Sequence, residues 1–200
     1  MAKPKKFWRD PQNVIALGVT FISVCALAVS IQQTRIMREQ RELMYEQAKA
    51  SVWPRLDISV RKGHNPEDGS LIIYEVMVNN EGVGPAIVKG VETTFKGENV
   101  SDWWDIFARL NLPDTVNTYI SNANLNRSII RAGENVTILN LNENLPLAQY
   151  FYQQSDQLSI SVWYESIYGD CWKLQISSEG VITKEAKAGD IPPEEVQFNG

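Results

Sequence analysis

Hydrophobic and polar positions follow three rhythms along this chain. From Val14 to Ile31 no charge interrupts an apolar run. At 1.5 Å per residue an 18-residue helix covers roughly 27 Å, close to the hydrocarbon thickness of a thin bilayer. Its Val, Ile, Leu and Phe side chains favour insertion by roughly 3–6 kcal/mol, from which Gly18, Thr20, Ser23 and Ser30 subtract. Asp10 and Pro11 supply the N-cap and first-turn residues of a helix start, which places Phe7 and Trp8 at headgroup level. A cleavable signal peptide is the competing reading, with Ala26-Leu27-Ala28 as its cleavage site. Against it, the apolar run continues through Val29 and Ile31 into strong helix formers.

The second rhythm, from Gln32 to Ala50, is polar and helical and stops before Pro54. Ile36, Leu43 and Ala50 recur at seven-residue spacing, as in a coiled-coil seam that would pair two copies through the stalk. Gln40 and Gln47 occupy the intervening core positions, which suits a solvated stalk instead. From Arg55 onward the period shortens to two. Leu56, Ile58 and Val60 alternate with polar residues, the HNPEDG turn follows, and Leu71 to Val78 is an apolar β-branched run, so a hairpin is predicted.

Further strands are expected at Ile87 to Phe95, Asn126 to Ile130, Asn135 to Leu141, Leu158 to Tyr164 and Trp172 to Ser178. Lys96-Gly97, Ala132-Gly133-Glu134 and Tyr168-Gly169-Asp170 are the turns. Ser101 is expected to cap a short helix to about Leu110, with Trp103, Ile106, Phe107 and Leu110 on its apolar face and Trp104 at the flank. A second short helix is expected over Leu147 to Gln154. Regularly spaced short strands with intervening turns predict a mainly β fold, an immunoglobulin-like antiparallel β-sandwich with one or two short helices behind a long transmembrane and stalk helix. The expected organisation is a basic tail (1–10), the helix (11–53), the sandwich (54–178) and a flexible C-terminal tail (179–200).

Charge narrows the partners. A net charge of −5 and a pI near 5.0 oppose nucleic-acid binding, since the only basic cluster is Lys3, Lys5, Lys6 and Arg9. That tail suits anionic lipid on the cytoplasmic face, and with Arg35, Arg38 and Arg41 partly neutralised by Glu39, Glu42 and Glu46 it puts the N-terminus inside and the domain outside. Cys25 and Cys171 lie in different parts of the chain and form no disulfide framework.

Three segments, Ala50-Ser51-Val52-Trp53-Pro54, Asn79-Asn80-Glu81-Gly82-Val83-Gly84-Pro85-Ala86 and Tyr164-x-Ser166-Ile167-Tyr168-Gly169-Asp170-Cys171-Trp172, together with the N-terminal span, carry a resemblance. In these the chain resembles uncharacterised bacterial membrane-anchored proteins with one N-terminal transmembrane helix and a strand-rich soluble domain. The resemblance implies a bacterial source and a tethered strand-rich domain, and no activity.

Apparent catalytic motifs fail on context. Gly82-Val83-Gly84 has Ile87 at the third glycine position and a strand where a dinucleotide fold needs a helix, so the glycines are expected to supply positive φ in a tight connection. Ser59-Val60-Arg61-Lys62 lacks the partner motifs of an acyl-serine enzyme. His64, the single histidine, sits in a turn, so neither a triad nor a metal site is expected. The richest remaining segment is the turn from Glu165 to Trp172. Glu165, Tyr168 and Asp170, with Trp104, are the candidate partner-binding residues, and Cys171 reads as a small buried hydrophobe. The expectation is a non-catalytic interaction module without cofactor or metal, meeting lipid through Val14 to Ile31 and an unidentified protein through the sandwich. The alternatives are a carbohydrate-binding or hydrolytic domain using the Glu165–Trp172 turn, or an accessory subunit of a membrane complex.

Overall fold

The computed structural model describes residues 11–200. The basic cluster, the Phe7 and Trp8 anchors and the Asp10 cap lie outside the described residues. Helix α1 (Pro11–Ser51) is continuous and carries a stretch long and apolar enough to cross a membrane, none of it buried. Within that stretch the Thr20 and Ser23 hydroxyls donate back to the Ala16 and Val19 carbonyls at 2.9 and 2.8 Å, so neither is left unpaired in an apolar surrounding. The chain divides into two compact units, Met1–Ala48 and Lys49–Gly200.

The second unit is built from two antiparallel sheets. β1 (Leu56–His64) and β2 (Leu71–Asn80) form the expected hairpin, and β6 (Asn135–Asn140) pairs with the far edge of β2. The Asn65 and Asp68 side chains accept from the Glu67 and Ser70 amides at 3.0 and 2.9 Å, which closes the hairpin turn. The larger sheet runs β4 (Glu98–Val100), β3 (Ala86–Phe95), β7 (Leu158–Glu165), β8 (Cys171–Ser177), β9 (Gly180–Ala186), with the two-residue β5 (Ile129–Ile130) also on β3. The chain crosses between sheets after β2, before β6 and again before β7, which is the strand distribution of an immunoglobulin-like sandwich. Lys96 and Gly97 both have positive φ and join β3 to β4 in a primed turn, whose twist matches that of the strands.

Between the sheets lie Leu56, Ile58, Val76, Val78, Val88, Val91, Phe95, Ile160, Val162 and Leu174. Two short helices pack on each other at one end of this core. α3 (Leu145–Gln154) buries Leu147, Ala148 and Phe151, and the Phe151 ring meets Tyr74, Phe107 and Trp103 edge-on at 5.4, 6.1 and 6.3 Å. α2 (Trp103–Ala108) buries Trp103, Ile106 and Phe107 and leaves Trp104 half exposed, as its wheel predicts. Burial pushes the Tyr74 phenol up to about 12 from 10.0. The neutral phenol is therefore favoured by folding, and its contribution is complete below about pH 10 and lost as pH rises toward 12. Alkaline unfolding should steepen in that window, and Tyr74→Phe should flatten the loss measured by circular dichroism.

Four expectations are corrected. The cap of α2 is Asp102, which accepts from the Asp105 amide at 2.8 Å; Ser101 instead donates its hydroxyl to Asp102 at 3.3 Å. The strand expected from Asn126 contracts to β5, because Asn126 uses its side chain on the edge of β3, accepting from the Val91 amide at 3.0 Å. Gly82 and Gly84 are absent from the positive-φ glycines; they serve close backbone approach. The segment from Glu179, expected as a loose tail, forms β9 and then returns to bury Phe198 in the core. Its Val181, Ile182 and Thr183 match the β-branched signal of a strand, and its backbone finds an open edge on β8.

Candidate functional site

In immunoglobulin-like sandwiches the loop that leaves the second strand for the facing sheet and a hairpin loop of that facing sheet gather at one end. Here those loops are 81–85, between β2 and β3, and 166–170, between β7 and β8, and the entering segment Lys49–Pro54 reaches the same end. The three sequence segments singled out above, separated by about 80 and 260 Å in an extended chain, thus converge on one cluster.

Backbone approach sets the geometry. The Val83 and Gly84 amides donate to the Trp53 carbonyl at 3.0 and 3.3 Å, and a Cβ on Gly84 would stand 1.8 Å from the Val52 carbonyl oxygen. Asn80, buried at the end of β2, uses its whole amide group. Its Nδ2 donates to the Gly84 and Ile130 carbonyls at 2.8 and 2.9 Å, and its Oδ1 accepts from the Arg55 and Gly82 amides at 3.2 and 3.0 Å. Asn80→Ala orphans several of these groups and should destabilise the domain by about 3 kcal/mol in denaturant titration. Sequence reading missed Asn80; the available signal was an asparagine ending an apolar strand immediately before a glycine-rich connection.

Aromatic rings fill the centre. Trp172 stacks on Tyr164 with centroids 5.6 Å apart and meets Trp53 at 6.3 Å. The Leu56 amide donates to the Tyr164 hydroxyl at 3.4 Å, and burial raises the Tyr164 phenol above its ordinary value. The turn itself is fixed by Ser166, whose hydroxyl accepts from the Tyr168 and Asp170 amides at 3.1 and 3.3 Å.

Of the four candidate residues, Glu165, Tyr168 and Asp170 share this end and Trp104 does not. β3 pairs Ile87 with Glu165 but Phe95 with Leu158, so β7 separates the turn from the α2 end by about 23 Å at 3.3 Å per residue. Each carboxylate has its own ammonium partner: Lys89 at 2.5 Å from Glu165 and Lys49 at 2.7 Å from Asp170. Tyr168 is partly exposed, and Val83, Ile129 and Ile167 are exposed as well. Cys171 is half-buried rather than buried, with Sγ 3.9 Å from Glu165 Oε2. Burial raises its thiol first and the Glu165 charge adds to the rise, so the unreactive neutral form is favoured. Iodoacetamide should therefore modify the folded domain at Cys171 more slowly than the unfolded chain at the same pH. His64 is exposed at the end of β1 and meets the Tyr152 ring at 5.7 Å. Among the described residues no group of three or more His, Cys, Asp and Glu side chains is placed to hold a metal ion.

Fold and site define a mainly β domain preceded in the chain by a long N-terminal helix, with loops 81–85 and 166–170 gathered on the segment Lys49–Pro54 at one end of the sandwich. No protein-family model matches the chain, and no curated protein matches it.

Proposed function

We propose that the protein is a single-pass, membrane-anchored, non-catalytic interaction module of a bacterial inner membrane, which presents its sandwich to a protein partner on the extracytoplasmic side. The observation that carries the reading is the apolar stretch of α1. Eighteen consecutive residues of a core helix would be covered by the rest of the fold, yet no part of this stretch is buried. Lipid is the solvent that suits such a surface. The basic residues before the span, Lys3, Lys5, Lys6 and Arg9, outnumber Arg35, Arg38 and Arg41 after it, which favours an inside N-terminus. At the domain, lysine pairing of Glu165 and Asp170 and the stacking of Trp172 suit a structural turn better than an acid/base or sugar-binding site.

Arginine at position 20 tests the anchor. A charge near the centre of the span opposes insertion by about 2.5–3.5 kcal/mol, comparable to the whole estimated gain. Thr20→Arg should move the protein into the soluble fraction after alkaline extraction, whereas the unmodified chain stays with the membrane. An unmodified chain that is soluble and starts near Val29 would establish the cleaved-signal alternative. Protease added to intact spheroplasts should digest the domain; protection until lysis would reverse the orientation.

A further inference from the structure

Residues 187–200 run as a strap over the larger sheet. After β9 the chain makes short 3-10 turns at Ala188–Asp190 and Glu194–Val196 and lays Ile191 and Gln197 against Gly90 of β3, where an added Cβ would meet Gln197 Nε2 at 3.0 Å. Gly90 is the cross-strand partner of Trp163, and directly paired residues share a face, so the strap crosses the side of the sheet on which Trp163 stands. The chain then reaches the edge of β3. That edge is paired by β5 at Ala86 and Ile87 and by β4 from Thr93, with a gap between them. Phe198 fills the gap: its amide donates to the Val91 carbonyl at 2.7 Å, and its carbonyl accepts from Asn126 Nδ2 at 2.5 Å. Its ring enters an apolar slot lined by Leu125, Ile138 and Ile160 and meets Trp103 edge-on at 5.0 Å.

The occupant matches this site in shape and only partly in chemistry. Among the described residues three buried side-chain polar atoms have no partner: Thr93 Oγ1, Trp103 Nε1 and Trp163 Nε1. Thr93 and Trp103 line the Phe198 slot, and Trp163 lies beside Gly90 beneath the strap. An indole N–H only donates and a threonine hydroxyl can donate, so acceptor oxygens would satisfy all three atoms, and the strap brings none within hydrogen-bond distance of them. Beyond Phe198 the strap is held by the Asn199 amide, which donates to the Ser101 carbonyl at 2.7 Å, by the exposed Arg127–Glu194 pair and by the half-buried Ile191, Val196 and Gln197, while Ala188 to Asp190 and Pro193 to Glu195 stay exposed.

We propose that this groove is the recognition site for a linear segment of a protein partner, one carrying an aromatic side chain flanked by hydrogen-bond acceptors, and that residues 187–200 are its resident, exchangeable occupant. The partner's backbone takes the β3 edge at Val91, its carbonyl takes Asn126, and its ring takes the slot beside Trp103, as in strand addition to an open sheet edge. The proposal names the contact surface of the interaction module inferred above and rests on that reading. Alkaline extraction tests the anchoring alone and peptide exchange tests this groove alone, so the two fail separately.

The test uses the full chain in detergent micelles and a fluorescein-labelled peptide with the sequence of residues 190–200. Phe198→Ala empties the ring slot in the protein, and the variant should bind the peptide at least tenfold more tightly than the unmodified chain, whose own strap competes. The same peptide with alanine in place of its phenylalanine should bind neither. A folded Phe198→Ala protein that takes up no peptide overturns the proposal. If that variant unfolds, the unmodified chain cut at a protease site inserted between Lys187 and Ala188 decides. Exchange of the cut strap for labelled peptide supports the proposal, and retention of the strap or unfolding on cutting overturns it.

Discussion

Gly84→Ala should destabilise the domain by roughly 3–4 kcal/mol, a large effect for the addition of one methyl group. The new Cβ would lie 1.8 Å from the Val52 carbonyl oxygen and 2.3 Å from its carbon, and backbone atoms have no rotamer by which to withdraw. Relief requires moving loop 81–85 away from Lys49–Trp53, which breaks the bonds from the Val83 and Gly84 amides to the Trp53 carbonyl and removes Gly84 as the acceptor for Asn80. Guanidinium titration of the detergent-solubilised chain should show a lower midpoint. Trp53 and Trp172 emission should shift red if the junction opens. An unchanged midpoint would mean that the loop and the entering segment are not in contact in solution. Gly97→Ala is the useful contrast: its Cβ meets nothing, so the loss should be confined to the strain of a positive φ, about 1 kcal/mol.

Trp103→Ala should remove about 3–5 kcal/mol, the range for truncating a large buried aromatic. The ring is fully buried and packs edge-on against both Phe151 and Phe198, so it ties α2 to α3 and to the strap. Because its Nε1 has no partner, the loss is one of packing, and Trp103→Phe should recover much of it. Trp104→Ala, at a half-exposed position on the same helix, should cost less than about 1 kcal/mol. Equal losses for the two tryptophans would contradict the helix face seen here.

Most of what these predictions rest on was legible without coordinates wherever the signal is local. The apolar run of α1, the β1–β2 hairpin with its Asn/Pro/Asp/Gly turn, and the separation of Trp103 from Trp104 all depend on neighbours within a few residues. Periodicity and turn chemistry read such neighbours directly. Asp102 displaced Ser101 as the cap by a single position, a difference decided by which side-chain oxygen reaches the Asp105 amide. The tail looks loose in sequence because Ala188–Asp190 and Glu194–Val196 have no repeating apolar spacing; Phe198, its one buried aromatic, lacks a periodic partner in sequence.

The sequence by itself determined that a membrane-length apolar helix is followed by a strand-rich domain, because hydrophobic period and turn residues act over short range. Tertiary structure alone decided that Lys49–Pro54, loop 81–85 and the β7–β8 turn meet, that Trp104 lies at the other end from Glu165, and that Asn80 and Asn126 serve as side-chain substitutes for backbone partners. Asn126 bonds Val91 across 35 residues, and Phe198 reaches Asn126 across 72. Such pairings depend on which strand edges the assembled sheet leaves open, and an open edge exists only once the other strands are in register.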